Sequence, residues 1–340
     1  CMAMANDSVM DGAVWISLGE VKTGGVPVFR KEVTLRDERV VKAVLYSSAL
    51  GVYDVFVDGE RLGDHQLKPG WTDYRKEIPY VEMNVTRWIK KGKTHVLAAE
   101  VSNGWWSGGI ARGVYGKAVK NAFVSKLVVT YADGNRMEVC TDTTWKASDE
   151  GPLRMGDIYD GETYDARCSI AWRDVGFNDS AWQYAVCNTD SKGVLIPFEG
   201  PAVTIRDSRL WRMPQSVTVY EGTIPTDTRY GRINIVHQQF SLQKPLLLKK
   251  GQVLLIDLGQ NMVGWIDFTA KGKSGTVLTW KFGEMLNYIG DEARLDQGPA
   301  GSLWTYNLRS AKATLTYTMN GSEKGERYHP TPTFFGFRYV

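Results

Sequence analysis

At 340 residues the chain can fill two or three domains, each with its own core, and its 43% hydrophobic and 23% charged content is that of a soluble globular protein. Its 41 basic and 38 acidic residues leave a net charge of +3 without any run of like charge, which argues against nucleic acid or an anionic membrane as a partner. No stretch approaches about 18 consecutive apolar residues, so a spanning helix is excluded. The opening CMAMANDSVMDGAVW has neither the basic nor the apolar region of a signal peptide; a leader lost with upstream sequence would leave the same pattern.

From Ala13 to Val139 short alternating strands follow one another. VVKAVLYSSALGVYDVFVDGE carries two of them and ends in Asp58-Gly59, a hairpin turn signal, and Asp133-Gly134 repeats the device between Leu127–Tyr131 and Met137–Val139. Only Val85–Lys91, with Thr86 as N-cap and Gly92 as stop, reads as a helical turn. Strands joined by Gly and Asp turns, with no helices between them, predict an antiparallel sandwich or jelly roll. Two aromatic loops interrupt it. KPGWTDY presents Trp71, Asp73 and Tyr74 after the Pro69-Gly70 turn, and VSNGWWSGG presents Trp105 and Trp106 after Asn103-Gly104. Adjacent tryptophans on a strand point to opposite faces, so at least one is expected to leave the core or to cap its end; end-plugging is the blander alternative to a stacking platform.

The densest mix of charge and rings is GDIYDGETYDARCSIAWRD, residues 156–174, where Asp157, Tyr159, Asp160, Glu162, Tyr164 and Asp165 precede Arg167 and Trp172. Carboxylates accept hydrogen bonds from hydroxyls or hold a hard cation, and rings stack on the apolar face of a sugar. Gly156 and Gly161 place the acids on a turn. The competing reading is a solvated acidic loop. Catalysis by this group is not expected, because paired catalytic carboxylates come from separate elements across a cleft and one of them is buried. Trp145, Trp172 and Trp182 should fold this segment back over the first sheet.

Residues 186–201 read as a linker, and a second β-domain follows, with three strands in QVLLIDLGQNMVGWIDFTAKGKSGTVLTWKFGEML. The expected division is 1–190 and 191–340. GQNMVG is no dinucleotide fingerprint, the four histidines form no metalloprotease pattern, and no GxSxG elbow occurs. Cys1, Cys140, Cys168 and Cys187 lack zinc spacing; a Cys168–Cys187 disulfide is compatible with the sequence but not fixed by it. The closing TFFGFRYV reads as an aromatic strand that a domain would not leave uncovered, which gives the expectation of a longer parent protein.

In chain order, LYSSALGVYDVFVDGERLGDHQLKPGWTDYRKEIPYVEMNVT, EVSNGWWSG, DIYDGETYDAR and WRDVGFNDSAW resemble the N-terminal β-sandwich of bacterial α-L-rhamnosidases of glycoside hydrolase family 78. IDLGQNMVGWIDF, WKFGEML and HPTPTFFGFRYV resemble the concanavalin-like domain that follows it in those enzymes. The resemblance spans residues 15–340. It implies an all-β chain of two antiparallel, jelly-roll-like sandwiches taken from an enzyme that removes terminal α-L-rhamnose with inversion. It also implies a catalytic helical (α/α)₆ barrel beyond this chain as partner, a rhamnose-containing glycoside as ligand, calcium as a candidate cofactor, and a periplasmic or secreted parent, with the cytoplasm as alternative. No catalytic residue is expected within the chain. A substrate-binding role falls to Trp71, Asp73, Tyr74, Asn103, Trp105, Trp106, Asp157, Tyr159, Asp160, Glu162, Tyr164 and Asp165, on loops expected to meet at one end of the first sandwich. SNGWW, where many relatives have an acid before Gly-Trp, weakens the case for calcium at that loop. A free-standing lectin and a pure scaffold are the alternatives.

Overall fold

The computed structural model describes residues 8–116, 119–190, 192–205, 210–240 and 244–340; Cys1 lies outside them. The described residues are almost entirely strand and turn, as expected. The first sandwich packs a seven-stranded sheet against a six-stranded one. The larger sheet is built on Val40–Leu50, Glu77–Asn84 and Ala122–Tyr131, the smaller on Val28–Thr34, Val52–Val57 and Thr94–Ser102. Alternation sends Phe29, Tyr53, Leu97, Phe123, Leu127 and Trp145 between the sheets, where they are buried. Burial of each such side chain contributes roughly 2 kcal/mol or more. Asp58 (φ 48°) and Gly59 (φ 82°) turn Val52–Val57 into Glu60–Arg61, the left-handed pair that the Asp-Gly signal calls for. The expected helical turn at 85–91 closes only as a turn. Asn84 and Thr86 side chains take up backbone partners there, including the Ala43 N–H bound by Thr86 Oγ1.

Trp172 and Trp182 do fold back, onto the outer face of the six-stranded sheet against Val28, Phe56, Val96 and Ala98. The segment expected as a linker is not free. Val186–Cys187 and Val194–Pro197 both pair with strands of the first sandwich.

The second sandwich sets a sheet of Ser216–Ile224, Arg232–Phe240, Val253–Gly264 and Phe335–Tyr339 against one containing Val277–Lys281 and Thr314–Thr318. Phe282, Leu315, Phe335 and Phe337 form the core between them. The aromatic run at 335–339 is therefore covered within the chain: Phe335 and Phe337 alternate inward, leaving Gly336 and Arg338 outside. Cys187 is disulfide-bonded whereas Cys168 is a free thiol, so the Cys168–Cys187 bond does not form.

Candidate functional site

The acidic hairpin is a joint. Leu153–Asp157 and Gly161–Asp165 pair with each other, and Gly161–Asp165 then adds in parallel to Thr314–Thr318 of the second sandwich. First-half residues thus complete a second-half sheet. Gly161, at φ 101°, allows this approach: a Cβ there would stand 2.1 Å from the Thr314 carbonyl oxygen.

Inside this joint each carboxylate has a defined partner. Asp157 is buried; its Oδ2 accepts from Gly109 N–H at 2.7 Å, and its Oδ1 accepts from Tyr159 N–H at 2.7 Å and Asp160 N–H at 3.0 Å. Asp160 pairs with Lys312 at 3.1 Å, and Asp165 binds Arg167 through two hydrogen bonds of 2.9 and 2.7 Å. Glu162 is fully buried. It accepts from the Tyr328 hydroxyl and, at 3.0 Å, from Thr331 N–H, yet desolvation still pushes its pKa up to about 8. Tyr164, Tyr317 and Tyr328 form a cluster of three rings: Tyr164 stacks on Tyr317 at 5.7 Å and is tilted against Tyr328 at 4.5 Å. These acids do not fit calcium through their side chains, since their oxygens already answer backbone N–H groups, cations or a tyrosine. Among the described residues no three His, Cys, Asp or Glu side chains group as a metal site.

The two aromatic loops reach the same joint. Asn103 N–H donates to the Gly156 carbonyl at 3.0 Å, and Asn103 Oδ1 accepts from the Ser107 hydroxyl at 3.1 Å. Residues Gly104–Ser107 form one helical turn, not the strand on which opposite-facing tryptophans were expected. Successive side chains on a helix stand about 100° apart, and here both indoles enter one core. Trp106 is 1% exposed and donates to the Lys120 carbonyl at 3.1 Å; Trp105 is buried and donates to the Leu67 carbonyl at 3.1 Å. Both rings lie in a cluster with Leu50, Val52, Tyr74 and Ile158, apart from the core between the sheets, so of the two expected outcomes it is the capping of the core's end that agrees, not a free stacking face. Tyr74 is equally buried, its hydroxyl donating to the Gly70 carbonyl at 2.5 Å, and Asp73 is spent on Arg75 at 2.8 and 2.9 Å. Two rings remain open to solvent. Trp71, 55% exposed, lies on Trp105 with centroids 5.6 Å apart, and Tyr159, 44% exposed, sits beside Gly109. The three loops do meet, then, but chiefly as packing.

A buried charge system that sequence inspection missed runs behind the joint. Asp54 and Glu100 face each other across paired strands. Asp54 is held by Arg61 at 2.7 Å and Lys68 at 3.4 Å; burial alone would raise its pKa, and the two cations bring it below its ordinary value. Among the described residues Glu100 pairs only with Arg173, at 3.5 Å, and desolvation leaves its pKa raised. The alternation of DVFVDG and LAAEVS marks both acids as outward-facing, but nothing local reveals that the outer face is covered.

Comparison with known proteins places these features. The family model for the α-L-rhamnosidase N-terminal domain matches residues 38–207, and that for the bacterial α-L-rhamnosidase concanavalin-like domain matches residues 248–340. An α-L-rhamnosidase of Streptomyces avermitilis is 35% identical over 316 residues, covering 92% of this chain and 26% of that protein. The crystal structure of Streptomyces avermitilis α-L-rhamnosidase complexed with L-rhamnose superposes with a TM-score of 0.74 at 33% identity, over 93% of this chain and 26% of that one. The native enzyme of Aspergillus terreus gives 0.75 at 30% identity, over 99% and 34%. The chain spans about a quarter to a third of the length of these relatives.

Proposed function

The chain belongs to the bacterial α-L-rhamnosidases, and from that premise we propose that it is the non-catalytic β-sandwich part of an enzyme that removes terminal α-L-rhamnose from glycosides. Catalysis requires a proton donor and a water-activating base on opposing walls of a cleft. The observation that carries the reading is the commitment of the acidic hairpin: Asp160 and Glu162 tie it to the second sandwich, Asp157 and Asp165 are taken up by first-half N–H groups and Arg167, and the four leave no such pair. Hydrolysis with inversion is assigned to a further catalytic barrel of the whole protein, and this part supports it. The strand Arg232–Phe240 agrees with such a partner. Ile235, Val236 and Phe240 are all exposed on it, so both of its faces present apolar surface suited to burial against more protein.

Recognition of the rhamnose-containing glycoside is placed at Trp71 and Tyr159, the rings of the joint open to solvent. Incubation of the chain with an aryl α-L-rhamnoside should release nothing above the buffer blank. Release that disappears in Asp160→Asn or Glu162→Gln would overturn the non-catalytic reading. Titration with L-rhamnose should show binding weakened in Trp71→Ala; no binding in either protein would remove the recognition role of Trp71 and Tyr159 and favour the scaffold reading of the joint.

A further inference from the structure

Beside the tip of the acidic hairpin the second sandwich opens a cavity of about 590 Å³, lined in part by Lys281, Gln297, Thr305, Tyr306, Arg309 and Lys312. Its walls follow from the strands around it. Lys281 ends the strand Val277–Lys281 opposite Thr314, and Lys312 stands two residues before that threonine. Tyr306 begins a short 3₁₀ turn, Tyr306–Leu308, and its exposed ring leans on Trp304 with centroids 6.1 Å apart.

Three cations, Lys281, Arg309 and Lys312, thus line the cavity, and of these Lys312 is already paired with Asp160 at 3.1 Å. Among the described residues neither Arg309 nor Lys281 has a carboxylate within ion-pair distance. Like charges gathered in a cleft repel one another and attract a counter-charge from solution. The backbone adds a second, independent observation. Arg309 sits at φ 55°, ψ −110°, a conformation that is unfavourable for any residue with a Cβ. Strain of this kind concentrates at ligand clamps, and here it falls on an arginine that lines the cavity, at a position where glycine would fit the chain better.

We propose that this cavity binds an anionic saccharide. Arg309 and Lys281 hold its carboxylate or sulfate, Tyr306 supplies a face for a sugar ring, and Thr305 and Gln297 supply hydroxyl and amide partners. Arg suits such an anion because its planar fork can engage two oxygens at once. The saccharide part of this assignment rests on the glycosidase reading above; the anion part does not.

Calorimetric titration separates the two. The protein is titrated with a galacturonate disaccharide, a sulfated monosaccharide, inorganic sulfate and neutral L-rhamnose. Both anionic sugars should bind, with affinity falling as sodium chloride is raised. Arg309→Gly and Lys281→Gln should each weaken that binding about tenfold, the equivalent of one charge-assisted contact. Because glycine relieves the backbone at 309, Arg309→Gly should melt no lower than wild type, so lost binding cannot be lost folding. Tyr306→Ala should weaken the anionic sugars and leave inorganic sulfate unchanged. Absence of anionic-sugar binding overturns the proposal. So does unchanged binding in both folded charge variants, or sulfate alone binding as tightly as the sugars. Loss of L-rhamnose binding alone would count against the recognition role of Trp71 and leave this cavity's assignment standing.

Discussion

Glu162 gives the strongest test of how the two sandwiches are joined. Desolvation pushes its pKa from 4.5 up to about 8, and the hydrogen bonds from Tyr328 and Thr331 offset only part of that. The folded protein therefore keeps a proton on Glu162 at pH values where the unfolded chain has released it. With the folded pKa above the unfolded one, this group's contribution is full below pH 4.5 and is lost as pH rises through about 8. At about 1.4 kcal/mol per pH unit the gap sets a ceiling of roughly 5 kcal/mol on that loss. Glu162→Gln keeps the shape and stays neutral at every pH: its carbonyl can accept from Thr331 N–H, and its amide can donate to the Tyr328 hydroxyl oxygen. Urea unfolding of both proteins, followed by tryptophan fluorescence between about pH 5 and about pH 8.5, measures the difference directly. Wild type should lose stability relative to Glu162→Gln by a few kcal/mol across this window, the difference between the two curves growing as pH rises. A difference that stays constant with pH, or shifts toward wild type as pH rises, would refute the burial argument.

Gly161→Ala should destabilise the chain by ~2 kcal/mol or more, since its Cβ would overlap the Thr314 carbonyl 2.1 Å away and φ 101° disfavours any side chain; a melting temperature equal to wild type would mean that the hairpin does not dock as described. Lys68→Met removes one of the two described cations of buried Asp54, leaving Arg61, and should cost ~3 kcal/mol, read by chemical denaturation. Trp71→Ala should change stability by under ~1 kcal/mol because the ring is exposed, whereas Trp105→Ala should cost ~3–5 kcal/mol by opening a cavity in the core; reversal of that order would contradict the packing of the pair.

Sequence alone determined the class of fold. Alternation with period two, punctuated by Asp58-Gly59 and Asp133-Gly134, fixes strands and turns within a few residues of the chain, and it is what brings Phe335 and Phe337 inward. It also marked the hairpin at 156–167 as unusual, because four acids and two tyrosines around a glycine are visible locally. What those residues do was not local. Whether Asp160 meets a ligand or Lys312, and whether Glu162 is wet or dry, depends on Lys312, Tyr328 and Thr331, which lie about 150 to 170 residues further along the chain. The tryptophans at 105 and 106 show the same limit on a smaller scale, since one helical turn where a strand was expected sends both rings into one buried cluster. Arg309 and Lys281 carry no motif at all; only the fold brings the end of a strand and the turn after Tyr306–Leu308 to the lining of one cavity. Strand pattern is set by residues near in sequence, but burial, charge pairing and the shape of a cleft are set by what the tertiary fold brings against them.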